Sequence, residues 1–378
     1  MRRWTVPAIC LALLVAFTEP ATAAIHVGWH VDRGIRLKEV AAAPKGPIYI
    51  VGDRRTPITA AAFVTKLSAT GRALWSRSWL PNRQAGTNAI AVDLMPNGTL
   101  VHRYVTPGWP CSIAESVTDV SATAGQIVVT GFKHGCCADL YQDGFVQALD
   151  PTAHPTWRTN VEPPAPTPHA WFDAATGISM GPFGTMFVAG WGATKPILHE
   201  TSQIAGTPVL WKLTSSGGVL WSHRVRVSMP SLEAPVTVAA RGNAVMVAAG
   251  VRGSSVRWGS FPPTDAWLGR FTIGGSLVWS RQWDKKNPHA AEPMNIAIDG
   301  SGATWVVGTR RTVNNRGLDL FVRRFGPRGV RLGMVSLDGT SRYLNGTGVA
   351  TRFGAVAYVT GTFGNDFSHG GRVWRLFA

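Results

Sequence analysis

Acid is scarce in this chain. Its 378 residues hold 21 Asp and Glu against 37 Lys and Arg, a formal charge of +16. Lysine is scarce as well, 8 against 29 Arg, a balance that GC-rich coding produces as readily as selection for binding. Cysteine is limited to Cys10, Cys111, Cys136 and Cys137, which excludes a disulfide-dense scaffold. Beyond the N-terminus no stretch of 18 residues is apolar, so no membrane-spanning helix is expected. No apolar period of about 3.6 residues runs along the chain, which argues against helical repeats. EF-hand spacing, a metalloprotease helix motif and a phosphate loop are also missing.

The N-terminus has the form of a secretory signal: Arg2 and Arg3, an apolar stretch from Trp4 to Phe17, then the small residues Ala21-Thr22-Ala23. Ile9 precedes Cys10 where a lipoprotein would need a small residue. We expect residues 1–23 to be a signal peptide and 24–378 a single secreted domain, extracellular or periplasmic. Loss of Arg2, Arg3 and Glu19 would leave a charge of +15. In an oxidising compartment Cys111 is expected to pair with Cys136 or Cys137, leaving one thiol unassigned.

What the chain does have is a repeat. An apolar residue is followed eight positions later by Gly and twelve later by Trp: Phe63, Gly71, Trp75; Val209, Gly217, Trp221; Trp267, Gly275, Trp279. Phe145 and Trp157 fit with Ala153 in the glycine slot, and Phe321 and Gly329 fit with Gly333 in the tryptophan slot. A second pattern precedes it, an apolar run, a turn and another run ending in Gly, at Gly52, Gly131, Gly190, Gly250, Gly308 and Gly361. From Gly131 onward these glycines lie 59, 60, 58 and 53 residues apart. Each unit reads as two β-hairpins, strands A to D. Four antiparallel strands repeated at this length predict an all-β fold, a β-propeller.

The last unit has A, B and C but no D. Ile25 to Val31 is expected to supply that outer strand and close the ring. The blade count turns on the 79 residues between Gly52 and Gly131. Ala89 to Val105 reads as an A–B hairpin around Pro96-Asn97-Gly98, but no C–D hairpin follows. Either seven blades are present, one lacking its outer half, or six blades carry an inserted hairpin; the spacing slightly favours seven.

The C–D hairpin resembles the SBBP-type bacterial β-propeller repeat, roughly Phe-Val-x-Lys-Leu, a turn Gly, then Leu-Trp. Phe63-Val64-Thr65-Lys66-Leu67, Gly71 and Leu74-Trp75 form the best copy; Trp211-Lys212-Leu213, Gly217 and Leu220-Trp221 form the next. Asp143, Asp265 and Asp319 match the Asp that precedes the opening apolar residue. The resemblance spans residues 37 to 378 in outline and departs at Ala153, Gly333 and between Pro107 and Glu115. It implies a secreted or surface-exposed bacterial propeller and no particular activity.

Trp75, Trp157, Trp221 and Trp279 are expected to fill the wedge between neighbouring blades, with Gly71, Gly217, Gly275 and Gly329 as turn residues. Charge travels with the repeat. The C–D hairpins hold fourteen Lys or Arg and one acid, Asp150, whereas the rest of the chain holds 23 basic and 20 acidic residues. Lys66, Lys212, Arg270, Arg324 and Arg375 share one equivalent position. Their stems either lie over the neighbouring blade's Trp or form a positive rim for acidic polysaccharide, lipopolysaccharide or extracellular nucleic acid. Sequence-specific nucleic-acid binding is not expected, because no recognition motif is present.

Catalytic motifs fail on inspection. Gly177-Ile178-Ser179-Met180-Gly181 matches a nucleophile elbow, but Ser179 falls inside an A strand with no helix after it. His134, Cys136, Cys137 and Asp139 crowd one loop without a zinc spacing. Asp299-Gly300-Ser301-Gly302 reads as a hairpin turn. The long B–C and D–A loops share one face, carrying Lys195, His199 and Glu200 in one loop and His169 and Trp171 in another, and make it a candidate binding surface. The leading expectation is a secreted, monomeric, non-catalytic propeller without cofactor or metal, binding a protein partner or an anionic extracellular polymer. The alternatives are an enzyme working at the channel mouth (a quinoprotein or a polysaccharide-active hydrolase or lyase) and a purely structural surface component.

Overall fold

The spacing from apolar residue to Gly is a turn geometry. In the turn Ser68–Arg72, Gly71 N–H donates to Ser68 O at 3.0 Å and Ser68 N–H donates to Arg72 O at 2.8 Å. The same two bonds close the turns at 214–218, 272–276 and 326–330. This is a type I turn ended by a left-handed residue. Gly71, Gly217, Gly275 and Gly329 hold that position at φ 83°, 87°, 89° and 75°, where a Cβ would be strained.

The computed structural model describes residues 25–33, 36–42, 47–55, 60–79, 90–94, 100–105, 114–122, 126–134, 142–150, 154–164, 172–193, 206–227, 235–252, 264–283, 291–311, 317–337, 344–352, 354–363 and 370–378. The first strand is β1 (His26–Arg33). Blade 1 follows as β2 (Arg36–Ala42), β3 (Ile48–Arg55), β4 (Ala60–Leu67) and β5 (Ala73–Trp79). A two-stranded sheet of β6 (Ile90–Leu94) and β7 (Leu100–Val105) comes next. Blade 2 is β8 (Ala114–Ala122), β9 (Ile127–His134), β10 (Gln142–Leu149) and β11 (Pro155–Val161). Blade 3 is β12 (Phe172–Met180), β13 (Met186–Ala193), β14 (Thr207–Leu213) and β15 (Val219–Arg224). Blade 4 is β16 (Val236–Arg241), β17 (Ala244–Arg252), β18 (Thr264–Thr272) and β19 (Leu277–Trp283). Blade 5 is β20 (Ala291–Ile298), β21 (Thr304–Arg311), β22 (Leu318–Phe325) and β23 (Arg331–Leu337). Blade 6 is β24 (Leu344–Thr351), β25 (Val356–Phe363) and β26 (Gly370–Phe377), completed by β1.

The chain is therefore a six-bladed β-propeller of four-stranded antiparallel sheets with an inserted hairpin. This corrects the preference for seven blades: β6 and β7 pair only as a two-stranded sheet, because no C–D sequence follows them to complete a blade. Closure is as expected. β1 pairs antiparallel with β26, and Trp29 stands opposite Arg375. That register matches Trp75 opposite Lys66, Trp221 opposite Lys212 and Trp279 opposite Arg270. Trp29 thus occupies the tryptophan slot of blade 6 from the other end of the chain.

The core lies in the seams between sheets. Phe187, Trp191 and Leu210 of blade 3 pack with Val247 and Trp267 of blade 4, and Trp305 and Val322 of blade 5 with Val359 and Trp374 of blade 6. Blades 2 and 3, 4 and 5, and 6 and 1 share cores in the same way. The outer hairpins add a second contact. A Cβ on Gly217 would lie 2.5 Å from the Trp157 ring of the preceding blade, and one on Gly329 would lie 2.9 Å from the Trp279 ring. On Gly275 it would meet His223 at 2.3 Å and Trp221 at 3.3 Å. Trp157 Nε1–H donates to Ser215 O at 3.2 Å and Trp279 Nε1–H to Pro327 O at 2.9 Å. The ring covers the next blade's turn and hydrogen-bonds its carbonyl.

Two glycine substitutions separate these effects. Gly242 has φ 55° and open space around its missing Cβ, while Gly217 has φ 87° and Trp157 against it. Gly242→Ala should cost about 1 kcal/mol from the backbone alone. Gly217→Ala should cost a further ~1–3 kcal/mol from overpacking. Urea unfolding of both variants measures the difference, and equal losses would show that the Trp157 contact is unimportant.

Candidate functional site

Around the axis the first strands pack on one another from β8 through β12, β16, β20 and β24 to β2. Five of these six inner strands carry a bulge at one level, with Lys38, Thr118, Thr176, Met294 and Thr347 as the extra residues. A bulge re-aims the side chains around it. Thr118 Oγ1 donates to Ala175 O and Thr176 Oγ1 to Val236 O, each at 2.6 Å and each into the next blade. The next position carries Glu39 and Asp119 in blades 1 and 2 and Asn295 in blade 5.

These three residues link distant blades. Asp119 accepts Val120 N–H on Oδ1 at 2.7 Å and Ile178 N–H of blade 3 on Oδ2 at 2.8 Å. Glu39 accepts Val40 N–H on Oε1 at 2.8 Å and Asn295 Nδ2–H on Oε2 at 2.5 Å. Both residues keep some accessible surface, but their carboxyl groups are enclosed by the strands. Burial pushes Glu39 well above its usual value, against the Val40 hydrogen bond; the nearby Asp119 charge pushes it further and Asn295 opposes. Burial raises Asp119 to about 6, against the Ile178 and Val120 hydrogen bonds. Each of the four oxygens already accepts a hydrogen bond, so the pair ties strands together.

A third carboxyl lies at the other end of the blades, at the start of β12. Asp173 is 4% exposed and its Oδ1 has no hydrogen-bond partner. Burial lifts it to about 8, with the negative charges of Asp143 and Glu162 adding and Arg224 opposing. At neutral pH it is a buried neutral acid, able to donate a proton. Its perturbation marks it as a candidate site residue, and it was missed in the sequence. The available signal was Asp173 at the opening of an A strand, opposite Gly192, but burial by a second sheet leaves no local trace.

The equivalent-position cations turn inward. Lys66 Nζ lies 5.8 Å over Tyr49 and Lys212 Nζ 5.6 Å over Phe187. Arg324 lies 5.3 Å over Trp305. These rings belong to the same blade's second strand, not to a neighbour's Trp. Lys212 Nζ also donates to Ile273 O at 3.1 Å, and Arg270 Nη1 donates to Pro327 O, both in the next blade's turn. Arg375 stacks 4.6 Å over Phe377. Arg324 is 8% exposed and bonds Asp299 Oδ2 at 2.9 Å, where Trp305 Nε1–H also donates at 2.9 Å. Burial alone would raise Asp299, but hydrogen bonds from Ser301, Trp305 and Arg324 and the Arg324 charge hold it below its usual range.

Ser179 lies within β12, and its Oγ accepts Ala240 N–H of blade 4 at 2.9 Å. Asp265 is buried and accepts from Gln282, and Asp319 faces Arg310 at 3.9 Å. Cys111, Cys136, Cys137, Asp139, His169, Trp171, Lys195, His199 and Glu200 lie outside the described residues. Among the described residues, no three His, Cys, Asp or Glu are grouped to hold a metal ion.

No protein-family model matches the chain, so the likeness of its hairpins to the SBBP-type repeat remains one of residues alone. No curated protein matches it either. Solved propellers do. The β-propeller domain of the Trilobed protease from Pyrococcus furiosus aligns at 6% identity and TM-score 0.47, over 91% of this chain and 94% of that one. An ulvan lyase of a polysaccharide lyase family aligns at 10% and 0.44, over 90% and 81%. Trypanosoma rangeli sialidase aligns at 10% and 0.47, over 91% and 55%. At these identities the likeness is one of fold.

The raised carboxyls set the pH dependence of stability. A carboxyl whose pKa is higher folded than unfolded holds its proton more tightly in the fold, so the unfolding free energy falls as pH rises between the two values. For Asp119 that window runs from about 3.8 to about 6, and for Asp173 from about 3.8 to about 8. Below it both states are protonated and no cost remains. Between pH 6 and 8 the native protein should lose roughly 1–3 kcal/mol through Asp173, and Asp173→Asn should remove that slope. Urea unfolding across this range measures it; an unchanged slope in the variant would show that Asp173 titrates normally.

Proposed function

We propose that this chain is a secreted, non-catalytic β-propeller whose outer hairpins bind an anionic extracellular polymer. One observation supports this above others. Arg72, Arg77, Arg158, Arg281, Arg328 and Arg331 are exposed on the outer hairpins, whose segments 63–79, 145–161, 209–225, 267–283 and 321–337 hold Asp150 as their sole acid. The reading shifts from the equivalent-position set, which is buried or half-buried, to these exposed arginines; Arg158 lies over Phe145 and Arg281 over Trp279, and both stay open to solvent. Positive potential gathered on one surface attracts polyanions and weakens with salt.

Heparin chromatography tests the proposal. The native protein should be retained and should elute only at raised salt. Arg72→Ser, Arg328→Ser and Arg331→Ser combined should elute markedly earlier than a control losing Lys38, Lys285 and Lys286, which lie outside the hairpins. Elution of the native protein at low salt, or equal shifts in both triple variants, would sink the assignment to the outer hairpins.

A second reading has one observation in its favour. The neutral Asp173 carboxyl at the start of β12 would serve an enzyme acting on a polysaccharide as a proton donor. Release of reducing ends or unsaturated sugars from acidic polysaccharides, abolished by Asp173→Asn, would favour it over the binding role.

A further inference from the structure

The described A–B and C–D turns emerge at one end of the blades. Their proximity is direct: Gln126, beside the A–B turn of blade 2, donates Nε2–H to Ser215 O in the C–D turn of blade 3 at 3.1 Å. In the A–B turn of blade 3, Phe183 is 97% exposed at φ 59°. It is the one non-glycine residue with positive φ among the described residues. Neither backbone preference nor packing accounts for a Phe there, since Gly or Asn would fit this conformation better and the ring covers nothing.

The same end carries more apolar surface. The first residues of the outer strands, with the turns leading into them, expose Leu74, Leu220, Leu277, Val278 and Val330 by 45–54%. They recur in blades 1, 3, 4 and 5. A single exposed Leu needs no explanation, but Leu74, Leu220 and Val278, each three residues past the turn glycine in three blades, do. Arg72, Arg241, Arg328 and Arg331 are exposed among them. The described turns hold two acids. Asp150 lies 3.8 Å from His154, and Asp299 is buried against Arg324.

We infer that this short-turn face docks on an anionic lipid surface. Phe183 and the outer-strand Leu and Val enter the boundary between headgroups and acyl chains, and the arginines meet the phosphates. The inference rests on the proposed affinity of the basic hairpins for anions and adds a second anionic partner to it. A polysaccharide or nucleic acid offers charge but no apolar phase for Phe183 and Leu220. A lipid interface offers both at once.

Co-sedimentation with vesicles tests it, using phosphatidylcholine alone and phosphatidylcholine with about a third phosphatidylglycerol. The native protein should bind the anionic vesicles and not the neutral ones. Phe183→Asn, which keeps a residue tolerant of positive φ, should weaken that binding roughly tenfold or more while eluting from heparin at the native salt concentration. Arg328→Ser with Arg331→Ser should weaken both. No vesicle binding by a protein that heparin retains would overturn the lipid inference and leave the polymer reading standing. Failure on both matrices would remove both, and undiminished vesicle binding by Phe183→Asn would show that this face is not the one that docks.

Discussion

The ring depends on one contact, a tryptophan lying over a turn that has no side chain. Each blade is a twisted sheet that cannot bury both faces alone, so it must fit its neighbour from axis to rim. Near the axis the fit is made by β-branched and small residues. At the rim the sheets diverge, and a ring as large as indole fills the widening gap. Trp157 can close on the next blade's turn only because Gly217 leaves room for it, and the turn itself needs Gly217 in a left-handed conformation. One glycine therefore satisfies two constraints, the local turn and the contact about sixty residues away along the repeat.

The exceptions fall at two breaks in the chain's repeat order. Gly333 replaces Trp in blade 5, whose following blade has no C–D turn, because the two chain ends meet there between β26 and β1. Ala153 replaces Gly in blade 2, which follows the β6–β7 insertion in the chain. Both departures from the repeat thus have a topological setting. In blade 6 the tryptophan slot is filled by Trp29 from the N-terminal strand, in the same register opposite Arg375.

Charge follows a similar logic. A cation beside the tryptophan slot faces an aromatic ring on its own sheet or a turn carbonyl on the next, so Lys66, Lys212 and Arg324 are partly withdrawn from solvent. Arginines at the turns and on the open edge of the outer strands remain exposed, where they also hinder edge-to-edge pairing with another sheet. Structural and binding roles can coexist there, because an edge cation needs only to face outward. At the axis the arrangement is reversed. The acids Glu39 and Asp119 are enclosed, which favours their protonated forms against the hydrogen bonds by which their oxygens tie strands together.

The hairpin unit, the glycine turns, the outer-strand tryptophans and the closing N-terminal strand were all legible in the amino-acid sequence. Turn stereochemistry and strand alternation belong to contiguous residues, so their spacing records them directly. The blade count was not legible, because Ile90–Leu94 and Leu100–Val105 have the pattern of an inner hairpin whether or not a blade forms around them. Nor was it legible which cations face outward, which carboxyls hold their protons, or that Phe183 stands exposed at one end with the apolar outer-strand residues. Those properties arise from residues of different blades brought side by side. Burial, pKa and shared surface are set by neighbours in space, and only the closed ring decides who the neighbours are.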